Sequence, residues 1–320
     1  VGTGAITKVD ADELYVPGPF RNIHGDWSSD SKWLAYTRVT GSQFRRIYLY
    51  SLDQKKSFAL TDGLSNVTDP IFDRGGKYLY FFASTDAGPV INWFDQSNND
   101  MRSVNSIYLV TLQKETISPF AKESDEEKIK EPSDSAKIKK ETAPAEKKPA
   151  GVTIDWDGIQ NRIVDLPLKA GNYGSLGTGK EDELLYIEYP FGGGPGMMHK
   201  YDLKKRKDNE VTEMNGYEIS ADGKKMLFTK TNVWTICNAG EKPEPGKGML
   251  NMDAIQVRTE PNQEWPQIFN EAWRINRDYF YDPGMHGANW SAMKKKYEAF
   301  LPHLSCRSDL NTLIQWMCSE

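Results

Sequence analysis

The chain has 320 residues, of which 38% are hydrophobic, 12% aromatic and 27% charged, and its mean hydropathy is -0.64. That composition fits about two globular domains, each able to bury a core without disulfide or metal staples. A net charge of -5 and an isoelectric point near 5.6 argue against the clustered basic surface that nucleic acid or an anionic membrane requires, so neither is expected as a partner.

Residues 5–15 read as the outer strand of a blade whose remainder lies outside the chain, which would leave a bare sheet edge there, open to pairing with another chain. From about residue 22 to residue 257 a hairpin pattern repeats. Its first instance is Asp26-Trp27-Ser28-Ser29-Asp30-Ser31-Lys32-Trp33-Leu34-Ala35-Tyr36, a strand entering a polar turn and an alternating strand leaving it. The pattern returns at Ile71-Phe72-Asp73-Arg74-Gly75-Gly76-Lys77-Tyr78 and at Ile219-Ser220-Ala221-Asp222-Gly223-Lys224-Lys225-Met226. A weaker version turns at Lys180-Glu181-Asp182-Glu183 into Leu184-Leu185-Tyr186-Ile187. The first two instances are offset by about 45 residues, the length of one propeller blade. Third strands are expected at Ile47-Tyr48-Leu49-Tyr50, Ile107-Tyr108-Leu109-Val110, Met198-His199-Lys200-Tyr201 and Val233-Trp234-Thr235-Ile236. The expected fold is therefore mainly β, a partial β-propeller of about four blades of four antiparallel strands over residues 1–257. One blade cannot cover both of its own faces, so blades must stack.

Two insertions interrupt the second blade. Residues 84–105 lengthen the loop before its third strand and carry Trp93 and Phe94. Residues 121–150 hold eight Lys against eight Asp plus Glu, no aromatic residue, and only Ile129 and Ile138 as large aliphatics. Such a segment cannot bury enough surface to offset its ordering entropy, and it reads as a disordered charged spacer. The blade resumes through Ile154-Asp155-Trp156-Asp157-Gly158-Ile159 and Arg162-Ile163-Val164.

In residues 258–320 the period changes from two to about 3.6. Trp265, Ile268, Phe269, Ala272 and Trp273 form an apolar stripe that only Asn276 interrupts. A second helix over 290–301 presents Met293, Tyr297 and Phe300 on one face, and Ser308 is the expected N-cap of a third that buries Leu310, Leu313, Ile314 and Met317. Three short amphipathic helices make a marginal unit on their own.

The words Arg258-Thr259-Glu260-Pro261, Glu264-Trp265, Glu271-Ala272-Trp273-Arg274, Arg277-Asp278-Tyr279-Phe280, Gly284-Met285-His286-Gly287 and Trp290 resemble the start of the helical core subdomain of tricorn-like proteases, serine peptidases related to the C-terminal processing peptidases. The four-stranded repeats are similar to those shared by TolB, the prolyl oligopeptidases and tricorn. The resemblance implies a serine peptidase that trims oligopeptides, cytoplasmic or alternatively periplasmic, with a capacity for homo-oligomeric assembly at full length. In that family the catalytic histidine would fall just after Glu320 and the serine further on, beyond a PDZ domain. No catalytic residue is therefore assigned within residues 1–320, which are expected to be inactive by themselves as propeller and scaffold. The alternative is a β-propeller protein-interaction module without peptidase activity.

Other constellations have plainer readings. Gly174-Ser175-Leu176-Gly177-Thr178-Gly179-Lys180 has phosphate-loop spacing, but Glu181 stands where Ser or Thr should bind magnesium and a strand follows, so it reads as a blade turn. Gly192-Gly193-Gly194-Pro195-Gly196 reads as a hairpin tip. Among His24, His199, His286 and His303 no pair has metal-ligand spacing, and His24 and His199 read as structural. Cys237, Cys306 and Cys318 read as small apolar residues. No cofactor or metal is expected. No serine stands in Gly-x-Ser-x-Gly, against a gated α/β-hydrolase, and Asp155 and Asp157 read as solvated turn residues.

Overall fold

A computed structural model describes residue 4 and residues 6–14, 25–85, 101–122 and 151–320. The chain forms two compact units, Val1–Leu250 and Asn251–Glu320. Trp93, Phe94 and nearly all of the charged insertion at 121–150 lie outside the described residues, as does His24.

Among the described residues the first unit holds four antiparallel sheets in chain order. Blade 1 holds β1 (Gly25–Trp27), β2 (Trp33–Val39), β3 (Arg45–Ser51) and β4 (Lys56–Ala59), and blade 2 holds β5 (Asn66–Phe72), β6 (Tyr78–Ser84), β7 (Ser106–Thr111) and β8 (Ile163–Asp165). Blade 3 holds β9 (Tyr173–Thr178), β10 (Glu183–Glu188), β11 (Gly196–Asp202) and β12 (Lys207–Met214). Blade 4 holds three strands, β13 (Gly216–Ile219), β14 (Lys225–Lys230) and β15 (Val233–Asn238). Its fourth place is taken by a short pairing in which the Ile236 N–H donates to the Gly248 carbonyl at 2.8 Å and the Leu250 N–H to that of Trp234 at 2.9 Å.

Stacking explains the composition of the middle strands. Every residue of β6 is buried. Leu79, Phe81 and Ala83 pack with Ala35, Ile47 and Leu49 of blade 1, while Tyr78, Tyr80 and Phe82 pack with Leu184, Tyr186 and Tyr201 of blade 3. Alternation survives, but both faces are apolar because both are covered. A third core joins Leu185, Ile187 and Met198 of blade 3 to Met226 and Phe228 of blade 4.

The repeated polar turns are held by side-chain caps. The Ser28 hydroxyl accepts the Lys32 and Trp33 N–H groups at 3.2 and 2.9 Å and donates to Asp30. Ser220 and Asp222 repeat this arrangement in blade 4. In blade 2 one carboxylate does all of it: Asp73, buried, accepts the N–H groups of Gly75, Lys77 and Tyr78 at 2.9, 2.7 and 2.7 Å.

Residues 6–14 depart from the expected outer strand. They form no strand but run along β2, where the Glu13 N–H donates to the Val39 carbonyl and the Asp12 carboxylate accepts the Val39 N–H, both at 3.0 Å. Asp10 accepts from the Tyr36 hydroxyl at 2.7 Å and from Arg38 at 3.2 Å. Acidic side chains here take over bonds that a neighbouring backbone would make, which is how Asp competes with a ladder.

The second unit holds α1 (Pro261–Tyr279), α2 (Trp290–Glu298) and α3 (Arg307–Cys318). Phe269, Tyr297, Leu310, Leu313 and Met317 form its buried core. Asn276 breaks the stripe because its amide donates back to the Ala272 carbonyl at 2.9 Å. Two expectations fail locally. Phe300 lies past the end of α2 and is 51% exposed. The N-cap of α3 is Cys306 rather than Ser308, in a capping box where Asp309 accepts the Ser305 and Cys306 N–H groups at 2.9 and 3.1 Å. Cys306 and Cys318 are accordingly exposed rather than packed in a core.

Candidate functional site

The four innermost strands lie in the order β1, β5, β9, β13, each against the next, and together they line a cavity of about 710 Å³. Its wall comprises Gly25 and Asp26 of β1, Asp69, Pro70 and Ile71 of β5, residues 174–178 of β9, and Tyr217, Glu218 and Ile219 of β13, with Arg74 and Tyr189 beside them. Every blade contributes, so the cavity is a product of the stacking and of no single motif.

The phosphate-loop-like glycines find their reason here. An added Cβ on Gly177 would lie 2.6 Å from the Tyr217 hydroxyl, and one on Gly174 would lie 3.0 Å from the Tyr189 ring. The glycines thus make room for two aromatic walls. Both rings are fixed by hydrogen bonds, from the Tyr217 hydroxyl to the Ser175 carbonyl at 2.7 Å and from the Tyr189 hydroxyl to the Asn215 carbonyl at 3.2 Å. Burial pushes the Tyr217 phenol upward, so it stays a neutral donor.

Arg74 clasps three blades. It stands in the turn after β5 and donates to the carbonyls of Thr178, Ala221 and Ser220 at 3.4, 2.7 and 3.2 Å. Asp26 ties blade 1 to blade 2 by accepting the Phe72 N–H at 2.8 Å. Burial raises its carboxyl above its ordinary value, against the pull of the Phe72 and Trp27 N–H groups and of Arg74. Asp69 sits at a bulge between Thr68 and Ile71 with φ of 51°, a left-handed conformation that Asp tolerates better than most residues.

The remaining sequence candidates are dispersed. His199 is 8% exposed on β11, its Nδ1 lies 2.6 Å from Asp208, and its ring stacks on Tyr186 at 5.0 Å. That is a packed core histidine with an acidic partner. His286 is exposed in the turn after α1 and bonded to the Tyr281 hydroxyl. Asp155 accepts the Lys114 N–H at 2.8 Å and Asp157 pairs with the Lys114 ammonium at 2.6 Å, in keeping with turn residues. The Gly192 to Gly196 stretch joins β10 to β11 as a hairpin tip. Among the described residues no group of His, Cys, Asp and Glu is arranged to hold a metal, and no helix is long and apolar enough to cross a membrane. Sequence reasoning missed Arg74, Tyr189 and Tyr217; the wide glycine spacing of β9 was the one signal that could have pointed to bulky neighbours.

Stacked four-stranded blades around a shared cavity define a β-propeller, here followed in the chain by a small helical unit. Residues 3–240 match the tricorn protease second beta propeller domain, and residues 261–319 match the tricorn protease C1 domain. The chain belongs to the tricorn protease family. It is 27% identical over 308 residues to a tricorn protease homolog of Saccharolobus solfataricus, covering 92% of this chain and 27% of that protein. It is 26% identical over 337 residues to tricorn protease homolog 1 of Streptomyces coelicolor, covering 97% of this chain and 31% of that protein. The crystal structure of the tricorn protease superposes with a TM-score of 0.67 at 20% identity over 92% of this chain and 28% of its own, a likeness of fold. The chain thus spans less than a third of the length of these relatives.

Proposed function

We propose that these residues form the non-catalytic propeller and the first helical scaffold of a tricorn-like serine peptidase that degrades oligopeptides. The observation that carries this reading is the match of residues 3–240 and 261–319 to two domains of one protease family. On this reading the reacting histidine and serine come from parts of the family architecture outside residues 1–320, the histidine soon after Glu320. The propeller cavity, walled by strands from every blade and by two fixed tyrosines, admits or holds peptide on its way to them.

The test compares hydrolysis of fluorogenic peptides by the 320-residue chain and by the gene product carried to its natural C-terminus, each with and without a serine-directed covalent inhibitor. Activity only in the longer protein, abolished by the inhibitor, is the expected result. Inhibitor-sensitive cleavage by the 320-residue chain would overturn the scaffold assignment. Activity in neither would favour a propeller that only binds other proteins.

A further inference from the structure

The innermost strand of each blade ends its sheet, and along an antiparallel pair every second residue directs its N–H and carbonyl groups away from the partner strand. In blade 2 the Asp73 N–H donates to the Tyr78 carbonyl at 3.0 Å, so the preceding Phe72 N–H points off the sheet, where the Asp26 carboxylate of blade 1 accepts it at 2.8 Å. The Trp27 N–H of β1 is likewise bonded to Asp26. Bulges interrupt the other inner edges, at Thr68 to Ile71 in β5 and opposite Leu185 to Ile187 in β9.

Strand β13 is different. It pairs with β14 in unbroken register from Gly216 to Ile219, and among the described residues no strand pairs with its other edge. The Ser220 N–H donates to the Lys225 carbonyl at 2.9 Å, the counterpart of Asp73 and Tyr78. Ile219 therefore stands where Phe72 stands in blade 2, its N–H pointing off the sheet, and Tyr217 shares that orientation by alternation. Both residues line the cavity. Asp26 lies two residues before Ser28, whose N–H opens the turn of blade 1, and Gly177 lies two before Gly179, which opens that of blade 3. Blade 3 thus offers a glycine where blade 1 offers a carboxylate, and no side chain there can take the Ile219 N–H as Asp26 takes that of Phe72. The strand is also held at both ends, by the Tyr189 hydroxyl on the Asn215 carbonyl and by Arg74 on those of Ser220 and Ala221. A fixed edge of alternating donors and acceptors is what an extended peptide pairs with when it adds as a further strand, and holding the edge in advance lowers the cost of ordering.

We propose that β13 is the docking edge of the cavity: an extended peptide pairs its main chain with the N–H and carbonyl groups of Tyr217 and Ile219. The ligand class is then an extended backbone with free N–H groups, taken with little regard to its side chains. The inference rests on the peptide-handling role given above and names how that role is carried out.

The experiment measures binding of three fluorescent heptapeptides of one neutral sequence to the 320-residue chain: unmodified, N-methylated at every second residue, and N-methylated throughout. The alternately methylated peptide keeps one edge of free N–H groups and should bind nearly as well as the unmodified one, whereas the fully methylated peptide should bind about tenfold or more weakly, having lost every backbone donor. Ile219→Pro removes one N–H of the docking edge at a place where proline leaves the ladder to β14 intact, and Ile219→Ala shortens the same side chain but keeps the N–H. The proline variant should bind the unmodified peptide about three- to tenfold more weakly than the alanine variant, the effect of one hydrogen bond. If Ile219→Pro melts well below the parent, the three peptides decide by themselves. Equal binding of all three, or equal loss with proline and alanine in folded variants, overturns the edge pairing and leaves the peptide-handling reading intact. Binding of none of the peptides overturns both.

Discussion

The propeller unit and the helical unit bury their side chains by different geometries. In the propeller a middle strand such as β6 is covered on both faces, and the interior is three successive cores, each shared by two blades. In the helical unit five buried residues make one core, and Phe269 of α1 is the one that α1 contributes to it. Two tryptophans reinforce that core by exchanging bonds, the indole N–H of Trp273 to the Trp290 carbonyl and that of Trp290 to the Trp273 carbonyl, both at 3.0 Å. A stack distributes its burial over neighbours, whereas a three-helix cluster concentrates it in one ring.

The largest expected effect follows from that concentration. Phe269→Ala should cost the helical unit about 3 to 5 kcal/mol, the usual range for emptying a Phe site. Hydrogen exchange should then show α1, α2 and α3 losing protection while β2, β6 and β10 keep theirs. Retained protection in all three helices would mean that the tryptophan pair, and not Phe269, carries the unit.

In the propeller the sharpest dependence should lie in a turn. Asp73→Ala removes the acceptor of three backbone N–H groups, one of them the N–H of buried Tyr78, at about 3 kcal/mol given the cost of orphaned buried donors. Asp222→Ala in blade 4 should lower the melting temperature far less, because its turn is exposed and Ser220 supplies the acceptor for the Lys225 N–H. Equal shifts from the two variants would show that the blades tolerate loss of a turn alike.

Next comes the cavity wall. Gly177→Ala forces the Tyr217 hydroxyl to move, at about 1 to 3 kcal/mol for overpacking. The shift in melting temperature should shrink in a Tyr217→Phe background, which removes the atom nearest the new methyl group. An equal cost in both backgrounds would place the strain in the β9 backbone instead.

Much of the fold is legible in the residues because local and global signals agree. Polar turns such as residues 220–224 stand between alternating strands, and the stripe from Trp265 to Trp273 has the period of the helix it forms. What stays hidden depends on contacts between distant strands. No local pattern says that Arg74 will reach carbonyls of blades 3 and 4, or that Asp69, Gly177 and Tyr217 will share a wall, because each of these is set by how blades stack. Residues 6–14 differ from the expected outer strand for a related reason: Asp10 and Asp12 find partners on Tyr36, Arg38 and Val39 that a strand would not offer. The N-cap of α3 differs from the expected Ser308 because Asp309, three residues after Cys306, closes the capping box on Cys306, although Ser is the stronger N-cap former.

The smallest effect should be a dependence on pH confined to blade 3. Burial disfavours the charged form of His199, but the hydrogen bond to Asp208 and the carboxylates of Asp208, Glu188 and Glu210 outweigh it and raise the imidazole above its ordinary value. Glu188 lies 3.8 Å from Nε2 and Tyr186 stacks on the ring, so the imidazolium is held by acids on β10 and β12. A folded state that holds the proton more tightly than the unfolded chain gains stability that is fully present below the ordinary histidine value of about 6.5. That gain is lost as pH rises through the elevated folded value. Between about pH 6 and pH 8 the propeller should therefore melt at progressively lower temperature, and His199→Gln should flatten this slope, since the amide cannot titrate. The melting of the helical unit over the same range is the reference against which the slope of the propeller is read. A slope that persists unchanged in His199→Gln would move the dependence to another group and remove the contrast between the two units on this point.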